Sequence, residues 1–354
     1  MDWKDRRILV TGGASFISSH LIDALAANGA TRIRVIDDLS SGHLQNIQPH
    51  LDRGLVEFHR ADLLTPGVAE DMVSGMDTIF HLAAIHGGRG YVDLHQAACA
   101  QNLALDGMLV KAAYEEGVDK FVFASSGCVY PNFIQQDVSK ELYLTEDMVG
   151  PPFDADNMYG WAKLMTEMTL KAYHKDYGMK SASCRFFTVY GERGVENHAV
   201  IAMIARAFIG QNPFEVWGDG TQVRNWTYVG DIVSGMLLAA EKVDDGTAIN
   251  LGTTERTRVI DAVKEVLRYT GRKAEIKLRP DMPTGPLNRV ASNDLAKQRL
   301  GWTPQVKFMD GLHQTIDWYF KTKDPVKVRG YLERMLTGRE EESPQPTVRV
   351  SASA

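Results

Sequence analysis

A phenol and an amine stand four residues apart in the stretch YGWAK, as Tyr159 and Lys163. On a helix that spacing puts both side chains on one face. A phenol with a pKa near ~10 is a weak base at neutral pH, and a neighbouring ammonium favours its phenolate. Such a pair can take a proton from a substrate hydroxyl while a hydride leaves the same carbon. Ser125 and Ser126, in FVFASSGCVYP, close an apolar run that reads as a parallel strand, and open α/β sheets hold their ligands at such strand ends. A Tyr and a Lys at this spacing also occur by chance on solvated helices, so the elements that position them must be read next.

The stretch TGGASFISSH, residues 11–20, is close to a dinucleotide-binding turn. In that turn one glycine permits the tight bend, a second lets the backbone approach a pyrophosphate, and a third lets helix pack on strand. Here Gly12 and Gly13 remain, while Ser15 and Ser18 stand at the later two positions. The Ser15 hydroxyl can donate to a phosphate oxygen at the start of a helix that opens with Phe16 and Ile17, and Ser18 is small enough for close packing. Asp37 ends the second strand, where a carboxylate accepts from ribose hydroxyls and repels a 2′-phosphate, which favours NAD over NADP. Asp62 and Leu63 follow the third strand, with Asp62 placed to meet an adenine amine. Leu82, Ala83 and Ala84 follow the fourth and offer small surface under a dinucleotide. Each carboxylate also has a plainer reading as a turn or cap residue.

Short apolar runs alternate with amphipathic segments through the first half, which predicts an α/β fold: a Rossmann-type, doubly wound parallel sheet with a smaller C-terminal substrate-binding lobe. Strands are expected at 7–11, 33–37, 56–60, 78–82, 120–125 and 181–188. Helices are expected at 16–28, 101–116 and 157–177, each followed by a glycine suited to the left-handed position past a helix end. Further on, 214–217 and 225–229 read as short strands, and 231–242 and 257–270 as helices. Residues 1–185 are assigned mainly to the NAD-binding domain. Residues 186–338 are assigned mainly to the substrate lobe, with some elements returning to the first domain, and 339–354 to a disordered tail.

The chain has 354 residues and a formal charge of -6, and its charges are interspersed, so no basic stripe supports nucleic-acid binding. Three cysteines, Cys99, Cys128 and Cys184, lack the C-x-x-C spacing of a metal or redox site and read as reduced thiols. No metal site is expected. Neither a signal-like apolar region nor a membrane-length apolar run is present, and a soluble, cytoplasmic protein is expected.

The ordered series TGGASFISSH, HLAA, SSGCVYP, YGWAK, RFFTVYG, GDGTQVRNWTYVGD and LGWTP resembles the extended short-chain dehydrogenase/reductase family, specifically its nucleotide-sugar epimerases and dehydratases. That resemblance implies that Ser126, Tyr159 and Lys163 form the catalytic set, with Ser126 bonded to a sugar hydroxyl or ketone. It also implies that Arg224 binds the substrate pyrophosphate and that Arg289 is a second phosphate-binding arginine, a task suited to guanidinium forks. Cys128 is similar to the cysteine of the GDP-mannose 3,5-epimerase and GDP-fucose synthase branch. His198 matches that branch's partner acid. Oxidation at C4 acidifies the C3 and C5 protons through an enolate, and a thiol and an imidazole can then serve as base and acid on opposite ring faces. The loop Gly87, Gly88, Arg89 resembles one that passes over the sugar, and Trp217 is placed to stack on a nucleobase. Thr188 departs from the pattern, since it replaces a usual Asn. The resemblance implies an NAD-dependent epimerase, a GDP-sugar substrate and a homodimer. Two other readings stay open: a 4-epimerase using only Ser126, Tyr159 and Lys163, and a non-catalytic ligand-sensing protein on the same fold.

Overall fold

A computed structural model describes residues 2–338, so the tail assigned to 339–354 lies outside the described residues. Seven parallel strands form the main sheet: β1 (Arg7–Thr11), β2 (Arg32–Asp37), β3 (Val56–Arg60), β4 (Thr78–His81), β5 (Lys120–Ser126), β6 (Ser181–Phe186) and β7 (Asp245–Leu251). Their spatial order is β7-β6-β5-β4-β1-β2-β3. The order reverses between β1 and β4, which opens a crevice at the strands' C-terminal ends.

Because successive strand residues face opposite ways, RILV in β1 serves two cores at once. Ile8 and Val10 pack with Leu21, Ile22 and Leu25 of helix α1 (Phe16–Ala27), while Leu9 packs on the other face with Leu105 and Leu109 of α2 (Asn102–Glu116) and Leu170 of α3 (Asn157–Tyr177). Burial on both faces explains why these strands read as unbroken apolar runs. A further core lies beyond the sheet's ligand edge, where α4 (Ala199–Phe208) packs with Phe214, Trp226, Phe308 and Leu332. Helix α5 (Val229–Lys242) and β7 return to the main sheet.

The structure corrects two expectations. Residues 225–229 are not one strand: Val223–Arg224 pairs with Asn288–Arg289, Thr227–Tyr228 pairs with Val189–Tyr190, and Val229 already begins α5. The break comes at Asn225, whose amide turns inward to donate to the Thr253 carbonyl at 2.8 Å. The strand expected over 181–188 ends at Phe186, and its neighbour β7, not anticipated, carries a register shift between Asp245 and Ala248 with Gly246 at φ 71°.

One buried ion pair ties α3 to the sheet. Arg185 of β6 donates to Glu167 through Nε at 2.9 Å and Nη2 at 2.8 Å, and Ser125 also donates to Glu167. Both charged side chains are 3% exposed. Removing one partner strands the other charge in the core. Glu167→Ala is therefore expected to lower unfolding stability by about 3–5 kcal/mol in urea titrations, and Glu167→Met with Arg185→Met to regain most of it.

Candidate active site

The sharp turn after β1 depends on Gly12, whose φ of 64° a side chain would resist and whose added Cβ would lie 3.0 Å from the Ala83 backbone. Gly13 lets the turn press on β2, since a Cβ there would come 2.5 Å from Val35. Asp37 is buried and faces this turn rather than the cavity. It accepts from the Ala14 amide at 3.0 Å, the Leu39 amide at 2.8 Å and the Ser15 hydroxyl at 3.3 Å. Burial raises its pKa, against these donors. Ser15 stands at the N-cap of α1 without capping it, so the first amides of α1 carry no side-chain partner from this residue.

Beside the turn lies a cavity of about 380 Å³. Its lining brings together Ser15, Phe16, Ile17, Leu82, Ala84, Gly87, Gly88, Arg89, Ser126, Cys128, Tyr159, Lys163, Thr188, His198, Trp217, Arg224 and Arg289. Five expected cofactor residues stand outside this lining, of which Gly12 forms the turn itself. Leu63 has its side chain in the core, Ala83 packs against that core, Asp62 is exposed and accepts from the Leu64 amide at 2.9 Å, and Asp37 braces the turn.

The positions of Tyr159 and Lys163 are set by the start of α3. Asn157, at φ 55°, caps the amide of Tyr159 through its own side-chain oxygen at 3.0 Å. Gly160 lets the helix lie on the Gly127–Val129 turn, because a Cβ there would come 2.3 Å from the Cys128 carbonyl. Tyr159 is held as a phenol: burial raises its pKa first, then the nearby Cys128 and Asp106, against a hydrogen bond with Ser126. Ser126 also accepts from the Cys128 amide at 3.1 Å, whereas Ser125 is committed to Glu167.

Lys163 is 1% exposed, with its Nζ 3.8 Å from Asp106 and 5.8 Å from the Tyr159 ring centre. Burial lowers its pKa, with Asp106 opposing. That Nζ is buried without a hydrogen-bond acceptor in the chain. Asp106 in turn accepts from Thr166 at 2.9 Å and contacts His81 at 3.0 Å. The other nitrogen of His81 meets Thr11 at 2.8 Å, and Thr11 accepts the Leu82 and Ala83 amides. With the Thr11 hydroxyl donating to Nδ1, Nε2–H of His81 donates to Asp106. Burial lowers the pKa of His81 and keeps it neutral. Sequence reading did not single out Asp106 or His81 in these roles, although HLAA contains the histidine.

Arg224 and Arg289 are register partners on adjoining strands. Arg224 donates only to the carbonyls of Val223 and Thr284, and burial, then Arg289 and Arg89, push its pKa down to about 9. A guanidinium without a carboxylate partner suits a phosphate. Arg289 sits instead at the sulfur: its Nη1 lies 3.3 Å from Cys128 Sγ and its Nη2 donates to Asp156 at 3.0 Å. Arg89 pairs with Asp93 and, at 2.8 Å, with Asp156. His198 precedes α4, with its ring centre 5.9 Å from that of His86, which is itself 6.4 Å from the Tyr159 ring centre. His86 is a cavity residue that sequence reading passed over.

Among the described residues no group of His, Cys, Asp or Glu could hold a metal ion, and no helix is long and apolar enough to cross a membrane. The family model described as NAD dependent epimerase/dehydratase matches residues 8–252. GDP-mannose 3,5-epimerase 1 of Oryza sativa subsp. japonica is 32% identical over 329 residues, covering 92% of this chain and 84% of that protein. Among solved structures, UDP-glucuronic acid 4-epimerase from Bacillus cereus, in complex with UDP-glucuronic acid and NAD, superposes with TM-score 0.80 at 29% identity, covering 90% of this chain and 100% of the other. UDP-glucose 4-epimerase from Thermotoga maritima, with UDP-glucose, gives TM-score 0.79 at 30% identity over 89% of this chain and 99% of the other.

Burial alone pushes the pKa of His198 from 6.5 down to about 4. Above pH 6.5 the residue is neutral folded or unfolded and contributes nothing to pH dependence. As pH falls from 6.5 toward 4 only the unfolded chain takes up the proton, so stability is lost across that window, by up to about 3 kcal/mol from this residue. Chemical denaturation at pH 7.5 and pH 4.5 should show a smaller acid loss for His198→Gln than for the parent chain. Equal losses would refute the assignment.

Proposed function

The chain belongs to the NAD dependent epimerase/dehydratase family, and from that premise we propose that it inverts C3, C5 or both in a nucleotide-diphosphate sugar through a transient 4-keto intermediate. The observation that carries this reading is the placement of Cys128 and His198 in one cavity with Ser126, Tyr159 and Lys163. NAD is its cofactor, and when bound it supplies reversible hydride acceptance at C4. The turn at residues 12–15 and Lys163 are the groups that would hold it.

Each of the chain's own groups has a task. Tyr159, a phenol as it stands, would act once the Lys163 ammonium and the positive ring of bound NAD offset its burial and its own proton has passed to water. As phenolate it takes the proton of the C4 hydroxyl while Ser126 orients that oxygen. The resulting ketone acidifies the neighbouring C–H bonds. His198, neutral at pH 7, starts as proton acceptor, and the Cys128 thiol starts as donor on the opposite ring face. One inversion then adds a proton to the imidazole and removes one from sulfur, and exchange with water resets both. Arg224 takes the diphosphate. Arg206 and Gln222 line the cavity beside Trp217 and carry buried atoms without partners, Nε and Oε1, which on a small side-chain turn would offer a donor and an acceptor to a nucleobase edge stacked on Trp217. In this reading residues 1–185 hold mainly the dinucleotide and 186–338 mainly the sugar nucleotide. A GDP-sugar is favoured on the similarity to the rice protein.

We also propose a homodimer through α2 and α3. Leu103, Tyr114, Trp161, Met165, Met168 and Tyr177 are exposed apolar side chains on these two packed helices, and such clustering marks a contact surface. Sedimentation should give a dimer for the parent chain and a monomer for Met165→Glu with Met168→Glu.

The reaction is tested in heavy water with GDP-mannose and UDP-glucuronic acid as probes. Deuterium at C3 or C5 of recovered sugar is expected, and Cys128→Ser should lower its incorporation about 10²-fold or more. Inversion at C4 with both carbons unlabelled would establish the 4-epimerase reading instead.

A further inference from the structure

The two arginines on either side of Asp156 make their contacts with the same oxygen. Arg89 Nη1 lies 2.8 Å, and Arg289 Nη2 3.0 Å, from Asp156 Oδ2. Asp156 is 3% exposed and Arg289 8% exposed. Burial would raise the carboxyl pKa, yet Arg289 and Arg89 bring it below the ordinary carboxylate range, so the group is an anion between two cations.

From the other side, Arg289 reaches Cys128. Its Nε donates to Gln135 at 2.8 Å, which leaves the fork directed at Asp156 and, through Nη1, at Cys128 Sγ. The Asp156 backbone joins the same unit, because its amide donates to the Cys128 carbonyl at 2.8 Å and its carbonyl accepts from Gly160 at 3.1 Å. Asp156 also directly precedes α3, the helix that carries Tyr159 and Lys163. Arg89 adds the loop: it follows Gly88 and is pinned to Asp93 one turn along its own short helix.

We propose that Asp156 is a positioning residue: it holds the Arg289 guanidinium against the Cys128 sulfur and fastens the Gly87–Gly88–Arg89 loop to the same point. The sulfur is thereby presented at a fixed angle to the cavity. The negative charge that appears on it when Cys128 gives its proton to the sugar carbon meets an N–H donor already in place. A carboxylate serves here because two guanidinium groups packed side by side in a buried site repel each other without a shared anion.

This inference rests on the proton-transfer reading of Cys128, and its test separates the two. Cys99 and Cys184 are fully buried while Cys128 is partly exposed, so iodoacetamide reads Cys128 in the folded, NAD-loaded protein without reference to turnover. Asp156→Asn should alkylate at least threefold more slowly at pH 7, with Asp156→Glu restoring the rate to within threefold of the parent. An unchanged or faster rate in Asp156→Asn overturns the proposal. With GDP-mannose in heavy water, Asp156→Asn should also lose at least tenfold in C3 or C5 labelling, while the absorbance transient of the C4 hydride step changes less than threefold. Parallel loss of both steps would mean general damage to the site and would also overturn it. Should Asp156→Asn not fold, Arg289→Lys keeps the charge, loses the fork and reads the same contact with the same expected slowing. A parent chain that incorporates no deuterium at all removes the epimerase reading, and the alkylation arm still judges the role of Asp156.

Discussion

A lysine ammonium shut away from water, 3.8 Å from a single carboxylate, is the constraint around which this site is built. Burying that pair is costly, and it holds only because the carboxylate of Asp106 is also served by Thr166 and His81. Through His81 and Thr11 the network reaches the amides of Leu82 and Ala83, so four elements, β1, β4, α2 and α3, meet at one buried charge. The lysine is left with a buried donor that no acceptor of the chain meets, lying 4.4 Å from the centre of the Phe123 ring.

The charges elsewhere in the cavity follow a complementary logic. Arg224 has no acidic partner, Arg289 shares one, and Arg89 has two within reach. The three guanidinium groups are thus graded by the carboxylates they meet, from none to two. A guanidinium with no carboxylate partner gives up least on meeting an anion. Arg289, which the resemblance implies as a second phosphate-binding arginine, lines the same cavity and there meets the Cys128 sulfur and Asp156.

Much of this was legible in the chain because local rules wrote it. The sheet strands of the first half announced themselves as apolar runs, α3 matched its expected bounds of 157–177, and Tyr159 and Lys163 fall on one helix face. The long-range partners were not legible. Asp106 lies within NLALDGMLV, where nothing nearby distinguishes it from a solvated helix acid, and its partner Lys163 is 57 residues further along. Asp156 looks like any acid before a helix, and its meaning comes from Arg89 and Arg289, which reach it from opposite ends of the chain. Strand β7 was hidden by a glycine and a register shift, features that break the alternation a reader looks for.

Gly88 has a further consequence. A Cβ there would come 1.5 Å from the Asn197 carbonyl, so two loops from distant parts of the chain touch backbone to backbone. Asn197 is the residue before His198. The glycine loop and the segment that carries the imidazole therefore press on one another along the cavity wall, and a side chain at position 88 would force them apart.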